Sequence, residues 1–361
     1  MIKQNSNLDS SKSPLKKLLK DPLSLTSIFI IGIFIFLSIG AYFVSPDSTP
    51  YANEQHLEIA VKKPRFKILF LEIKNLNHEK NNFFQRLIYG KPSEYISTPI
   101  FKEWKQNGKQ FVETYTGDSP NNGEIISIDE TTDYRISERT YMLGTDRYGR
   151  CLLSQLIVGT RVSIAVGFIS LIISLFIGIT LGAIAGYFGG WIDNVIMWLI
   201  NVVWSIPTVL LVVAITFALG KGFWQVFMAI GLTMWVDIAR MVRGQVKSIK
   251  EKEFVTASRA LGFSNKRIII KHILPNIIGP ITVISASNFA SAILQEAGLS
   301  FLGLGVQPPM PSWGCIIKEN YGYIILDAAY MAIAPGIAIM LLVLSFFTLG
   351  SGIRKVIDAK N

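Results

Sequence analysis

Charge is scarce in this sequence. Asp, Glu, Lys and Arg make up 17% of 361 residues, while half of the chain is hydrophobic, an unusual balance for a soluble protein. Cysteine is nearly absent. The two that occur, Cys151 and Cys315, exclude a disulfide scaffold and any cysteine-based zinc site. A single bridge between them is allowed by number alone, but spacing says nothing about Cα separation, and two separate residues packed beside helices is the expected state. The three histidines, His56, His78 and His272, lie far apart and suggest no metal constellation. No Gly-x-x-x-x-Gly-Lys-Ser/Thr loop occurs. Gly303 with Gly305 and Gly350 with Gly352 lack the third glycine of a dinucleotide fingerprint. No Ser-His-Asp or paired-carboxylate arrangement stands out, so no catalytic residue, metal ligand or cofactor is expected in this chain.

What remains is apolar and strongly segregated. Charge-free runs extend from Pro22 to Pro46, Val162 to Ile192, Asn194 to Gly220, His272 to Gln295 and Ala328 to Ile353. Each exceeds the roughly 20 residues that carry a helix across about 30 Å of hydrocarbon. A shorter run, Gly222 to Val236, continues as helix-compatible sequence through Val246. The expected fold is therefore an all-α polytopic membrane protein of about six transmembrane helices.

The net charge of +10 orients such a protein without invoking nucleic acid. Lys3, Lys12, Lys16, Lys17 and Lys20 precede the first span. Arg240, Arg243, Lys247, Lys250, Lys252, Arg259, Lys266, Arg267 and Lys271 crowd the segment between spans four and five, and Arg354, Lys355 and Lys360 follow the last. With a cytoplasmic N-terminus, all three clusters fall inside, as the positive-inside rule requires. The segment Asp47 to Arg161 then lies outside, where a long loop of nearly balanced charge is allowed. The run Leu23 to Val44 is longer than a usual signal-peptide core, which favours a retained anchor over a cleaved leader.

Three regions follow: 1–46, a cytoplasmic start and first span; 47–142, an extracytoplasmic insertion; and 143–361, a five-helix core with a cytoplasmic loop at 247–276. The insertion carries strand-like stretches at Phe66 to Ile73, Gln110 to Tyr115 and Glu124 to Asp129, so a small β-containing domain is expected there. In the core, Pro207 is placed to kink span three. Gly178, Gly182 and Gly186 recur at four-residue spacing on one helix face, which reads as close helix packing.

The loop at 247–276 is the informative stretch. Phe254, Ala257 and Leu261 form one apolar stripe on a short helix, and Gly262 stands where that helix would end in a left-handed conformation. Ser264 can cap a second helix with isoleucines toward the bilayer and Lys and Arg toward water. Pro275 would break it where span five begins. The physical reading leaves an ordinary basic amphipathic loop and a docking knob about equally open.

The same loop resembles the cytoplasmic signature of binding-protein-dependent transport permeases: Ala257, Gly262, Leu274 and Pro275 match, while Thr256, Ser258 and His272 depart from it. Leu143-Gly-Thr-Asp-Arg-Tyr-Gly-Arg150 and the run Glu296 to Gly314 resemble the C-type permease subunit of oligopeptide, dipeptide and nickel importers, with Cys151 where an Asp is usual. The resemblance covers roughly Leu15 to Pro50 and Leu143 onward.

It implies an ABC importer permease in a bacterial plasma membrane, partnered by a second permease subunit, two cytoplasmic ATP-binding subunits and an extracytoplasmic substrate-binding protein. ATP and magnesium would bind only the ATPase partner. Glu253, Ala257, Ala260, Leu261, Gly262, Leu274 and Pro275 are then the residues expected to couple to that ATPase. A short peptide is the implied substrate, nickel or another small solute the alternative. An ion-coupled secondary transporter would need several mid-membrane ionisable residues. Only two charged positions invite attention: Asp237, expected to pair with Arg240 on its own helix, and Glu296, a weak candidate for facing a substrate pathway.

Overall fold

The structure, a computed structural model, describes residues 18–75, 82–106, 109–117, 122–128, 133–220 and 222–358. Lys3, Lys12, Lys16, Lys17, His78, Asp129 and Lys360 lie outside the described residues. In chain order, α1 (Pro22–Ile39) leads into an insertion bearing β1 (Phe66–Lys74), α2 (Phe83–Tyr89), β2 (Tyr95–Gln106), β3 (Lys109–Thr114), β4 (Ile125–Ile128) and β5 (Tyr134–Tyr141). The helical core follows: α3 (Leu152–Phe188), α4 (Gly190–Trp204), α5 (Thr208–Leu219), α6 (Phe223–Lys250), α7 (Glu253–Ala260), α8 (Ile278–Phe301), α9 (Trp313–Asn320) and α10 (Tyr330–Asp358).

Among the described residues, five helical stretches are long and apolar enough to cross a membrane, six if the bent pair α4–α5 is taken as one span. The expected kink in that sixth span is a break: the two halves meet at 91° around Ser205, Ile206 and Pro207. Pro207 has no N–H to donate into α4 and starts α5 instead, so the turn is set by a missing hydrogen bond. At roughly 1.5 Å per residue, the 37 residues of α3 are far longer than the hydrocarbon layer. Its first turns pack against the insertion, where Gln155 Nε2 donates to the Tyr51 and Ala52 carbonyls.

The core is organised around α6, the most buried of the long helices. Its partner is α3, and the three spaced glycines are the reason the two approach so closely. A methyl group added at Gly182 would lie 2.5 Å from the Ala239 carbonyl oxygen; at Gly178 and Gly186 the nearest atoms, on Ile238 and Arg243, would be 2.7 Å away. Any side chain there would separate the helices. A second apolar cluster joins α1, α3, α8, α9 and α10 through Phe289, Ile293, Trp313, Met331 and Leu342.

The insertion folds as one antiparallel sheet in the order β4-β3-β2-β1-β5. The three expected strands are present within a residue or two, and β2 and β5 join them. One face of β1 puts Ile68 and Phe70 against Ile59, Tyr141 and Cys151, next to the helical core. The other face packs Leu71 with Ile100, Val112 and Ile128. On the core-facing side Glu72 is buried. It accepts from Arg139 Nη2 at 2.6 Å and Ser137 Oγ at 2.9 Å, and pairs with Arg135. Arg139 also reaches Glu54 at 2.9 Å.

The two ends of the helical core differ. At the sheet end, the Asp47 N–H donates to Ser154 Oγ (2.9 Å), Trp313 Nε1 to the Leu156 carbonyl (3.0 Å), and the Tyr330 hydroxyl to the Lys62 carbonyl (2.8 Å). At the opposite, loop end, Ser24 of α1 abuts Gly352 of α10, Ile357 abuts Gly279, and Arg243 makes a bidentate pair with Asp193 at 2.5 and 2.7 Å. The basic residues between α6 and α8 and Arg354 and Lys355 therefore gather at one end, away from the sheet.

Candidate functional site

The loop end carries an ordered helix–turn–helix. α7 stops by chemistry that its sequence specifies. Gly262 has φ +76°, its N–H bonds the Arg259 carbonyl at 3.0 Å, and the Phe263 N–H bonds the Ser258 carbonyl at 3.2 Å. That double closure is the Schellman arrangement, which needs a residue at ease in the left-handed region. Ser264 then caps the next turn, accepting from the Arg267 N–H at 3.4 Å.

The face of α7 that points away from the protein holds Glu253, Phe254, Ala257, Ala260 and Leu261, all exposed, Leu261 to 73%. Its underside holds the buried Val255 and Ser258. The apolar stripe Phe254–Ala257–Leu261 is thus uncovered in the single chain. Exposing it at a fixed place would be wasteful in a monomer, since each large apolar side chain left in water forgoes about 1.5–3 kcal/mol.

Two expectations about the second half of the loop are corrected. The isoleucines do not turn to the bilayer: Ile268, Ile273 and Ile277 are fully buried against Ala183, Tyr187, Val242 and Val246 at the ends of α3 and α6, and Ile270 is the exposed one. Protein packing offers them more contact than lipid because Val255 closes the same cluster from α7. Nor does Pro275 break the helix. From Asn265 the backbone passes through a π-helical stretch, Ile268–Ile273, and a tight 3₁₀ turn, Leu274–Ile277, directly into α8. The wider turn absorbs the hydrogen bond that Pro275 cannot donate. Leu274 is half-buried and Pro275 exposed.

Tyr187 ties the assembly to α3. Its hydroxyl donates to Asn265 Oδ1 at 2.8 Å, with Arg259 and Lys250 near its ring at 5.6 and 5.8 Å. The loop is packed onto the ends of α3 and α6.

A second feature lies within the membrane-spanning part. The break between α4 and α5 opens a cavity of about 240 Å³ against α6 and α8, lined by Trp204, Thr208, Thr233, Asp237, Asn288 and Gln295 among others. The expected pairing of Asp237 with Arg240 is absent. Arg240 stacks on the Trp204 ring at 3.7 Å and reaches Asn201 at 3.5 Å, while Asp237 makes no hydrogen bond or ion pair with any described residue. Ring stacking wins because the guanidinium is planar and weakly hydrated.

Glu296 is also relocated. It is fully buried in the single chain: Ser300 Oγ donates to Glu296 Oε1 at 2.6 Å, Ser312 lies next along the same chain of hydroxyls, and Glu296 Oε2 has no partner among the described residues. Its role in the structure is to join α8 to the turn before α9.

At the sheet end, the Leu143–Arg150 motif forms a clamp that sequence alone does not reveal. Asp146 accepts from the Tyr148 and Arg150 N–H groups at 2.9 Å each and from Arg150 Nε at 2.6 Å. Arg150 Nη2 then pairs with Glu319 of α9 at 2.5 Å. Gly149 (φ +72°) lets the His56 backbone pass where a side chain would collide. Cys151 and Cys315, on either side of this clamp, are free and buried; burial pushes the Cys315 thiol up to about 12.

Residues 178–360 match the family described as binding-protein-dependent transport system inner membrane component. The chain belongs to this family. It is 40% identical over 220 residues to a dipeptide transport system permease protein of Alkalihalophilus pseudofirmus, covering 61% of this chain and 72% of that one. To a glutathione transport system permease protein of Pectobacterium atrosepticum it is 38% identical, covering 61% and 73%. To an oligopeptide transport system permease protein of Haemophilus influenzae it is 37% identical over 224 residues, covering 62% and 72%. As a member of this family the chain is the permease component of an importer and a multi-pass membrane protein, a transport component rather than an enzyme. The matched region takes in the last third of α3, the broken span, the α7 loop and the Asp237 cavity.

Proposed function

We propose that this chain is one permease subunit of an ATP-driven importer of short peptides in a bacterial plasma membrane. The observation that carries the reading is the α7 knob: an uncovered apolar stripe on a helix whose end is fixed by Gly262 and whose underside is locked onto α3 and α6. A motor subunit gripping Phe254, Ala257 and Leu261 would move the helices themselves. Peptide as substrate rests on the names of the dipeptide, glutathione and oligopeptide relatives.

In this reading the sheet end faces outward, where a substrate-loaded binding protein docks. A second permease subunit completes the pathway and covers part of the apolar surface that α4 and α5 leave exposed. Two cytoplasmic ATP-binding subunits hold the nucleotide and magnesium, and their closure tilts α3 and α6 through the loop. Glu253, Ala260, Leu274 and Pro275 flank the grip. The chain's own contribution is mechanical: it binds no nucleotide and transmits displacement.

Purification in mild detergent, with co-purifying chains identified by mass, tests the assembly; ATP-dependent uptake of a labelled tripeptide into vesicles tests the cargo. Recovery of an ATP-binding subunit with a second permease, and uptake of the tripeptide, are the expected results. A chain that purifies alone, or vesicles that fail to accumulate the peptide, would overturn the corresponding half of the proposal.

A further inference from the structure

We propose that the cavity at the broken span is a subsite for a cationic ammonium group of the passing solute, with Asp237 as its counter-charge. This rests on the peptide-import reading and adds to it a recognition chemistry inside the membrane.

The cavity is unusual for its setting. Around it the helices are apolar, yet its lining combines Asp237 with Thr208, Thr233, Asn288, Ser291 and Gln295, and holds no Lys or Arg. Asp237 is exposed and makes no hydrogen bond or ion pair among the described residues; Arg240 acts on it only through its charge. The cation that would ordinarily neutralise it, Arg240, is held aside on Trp204 and Asn201. Gln295 Oε1 is buried with no donor, so a second acceptor waits in the same cavity. Asn288 already commits its amide to the Met234 carbonyl at 3.4 Å. An anion plus unmet acceptors calls for a donor-rich cation, and an ammonium offers three N–H donors with one charge.

Size narrows the choice. About 240 Å³ is below the roughly 300–1,000 Å³ of sites that enclose a whole small ligand, so the cavity suits one end of an extended solute. A bare metal ion fits poorly: among the described residues no three His, Cys, Asp or Glu side chains converge. The α-ammonium of a peptide, or a lysine side chain within it, has the required charge, donors and bulk. Placement at a helix break is physically favourable, because backbone and side-chain dipoles there face a cavity and not lipid. An intramembrane carboxylate left without a partner is costly unless a transient one arrives.

The test uses the whole complex reconstituted in vesicles, with its ATP-binding subunits and binding protein. The probes are trialanine and N-acetyl-trialanine. For Asp237→Asn we expect trialanine uptake to fall about tenfold. The acetylated peptide should change by less than twofold, and ATP hydrolysis stimulated by loaded binding protein should stay within twofold of wild type. Asp237→Glu should restore trialanine uptake. The inference is overturned if Asp237→Asn leaves trialanine uptake within twofold, if Asp237→Glu fails to rescue it, or if the acetylated peptide is lost equally or refused by both complexes. Loss of stimulated hydrolysis would assign Asp237 to the mechanics and also overturn it. A wild-type complex that carries neither peptide contradicts the import reading instead.

Discussion

Gly262 and Arg150 show what a single residue does here. Nothing lies within 4 Å of a methyl group placed on Gly262, so its requirement is conformational and not steric. Gly262→Val puts a β-branched side chain at φ +76°, a cost on the order of 1–3 kcal/mol. The expected outcome is normal membrane abundance with loss of uptake and of the bound ATP-binding subunit. Gly262→Asn, tolerated in the left-handed region, should retain both. Equal behaviour of the two variants in one preparation would remove backbone conformation as the cause. Arg150 is buried between Asp146 and Glu319, and removing one partner of a buried charge network costs about 3–5 kcal/mol. Arg150→Met should therefore lower the unfolding temperature in detergent, whereas Lys63→Met, at an exposed pair with Asp327, should leave it nearly unchanged. The sequence shows the Gly262 stop because both halves of its closure are local. It hides the Arg150–Glu319 pair because 169 residues separate the partners.

Elements were readable where one periodicity governed them. The long helices are apolar over whole spans, so hydropathy finds them, and the four-residue glycine spacing finds the α3 face. β5 escapes that reading because Arg135, Ser137 and Arg139 occupy its core-facing positions. Polar residues there look like a loop until Glu72, 67 residues from Arg139, supplies the counter-charge. Pro99 and the charged stretch Lys102–Lys105 obscure β2 in the same way. This network has a pH signature. Burial alone would raise the Glu54 carboxyl, but the His56 hydrogen bond and the Arg139 charge outweigh it and hold it at about 2; Glu72 is likewise lowered, its burial outweighed by hydrogen bonds from Arg139 and Arg135. A depressed folded value stabilises fully above the unfolded value near 4.5 and is lost as pH falls toward the folded one. Amide protection in β1 and β5, corrected for the intrinsic pH dependence of exchange, should therefore fall between about pH 4.5 and 2, ahead of α3 and α6, and Arg139→Gln should abolish that difference. Protection that is unchanged across this window would mean that the network does not hold the sheet.

At the scale of the whole molecule, the separation of ends is the organising fact. Charge clusters along the sequence anticipate it, and the packing of Ser24 near Gly352 and Gly279 near Ile357 brings the described basic residues, Lys20, those of the 240–271 segment, Arg354 and Lys355, to one end. What the sequence could not display is the uncovered side of α7, since an apolar stripe reads the same whether it faces core, lipid or a partner; only Val255 and Ser258 turning inward decides it. The Asp237 cavity was hidden for a related reason, the long-range stacking of Arg240 on Trp204. If the loop is where the motor grips, a photo-reactive benzoylphenylalanine at Leu261 should capture the ATP-binding subunit in intact membranes, while the same residue at Phe84, exposed on α2 in the insertion, should not. A Leu261 adduct of ATP-binding-subunit mass, absent from the Phe84 sample, is the predicted result. No adduct at Leu261, or the same adduct from both positions, would contradict the account.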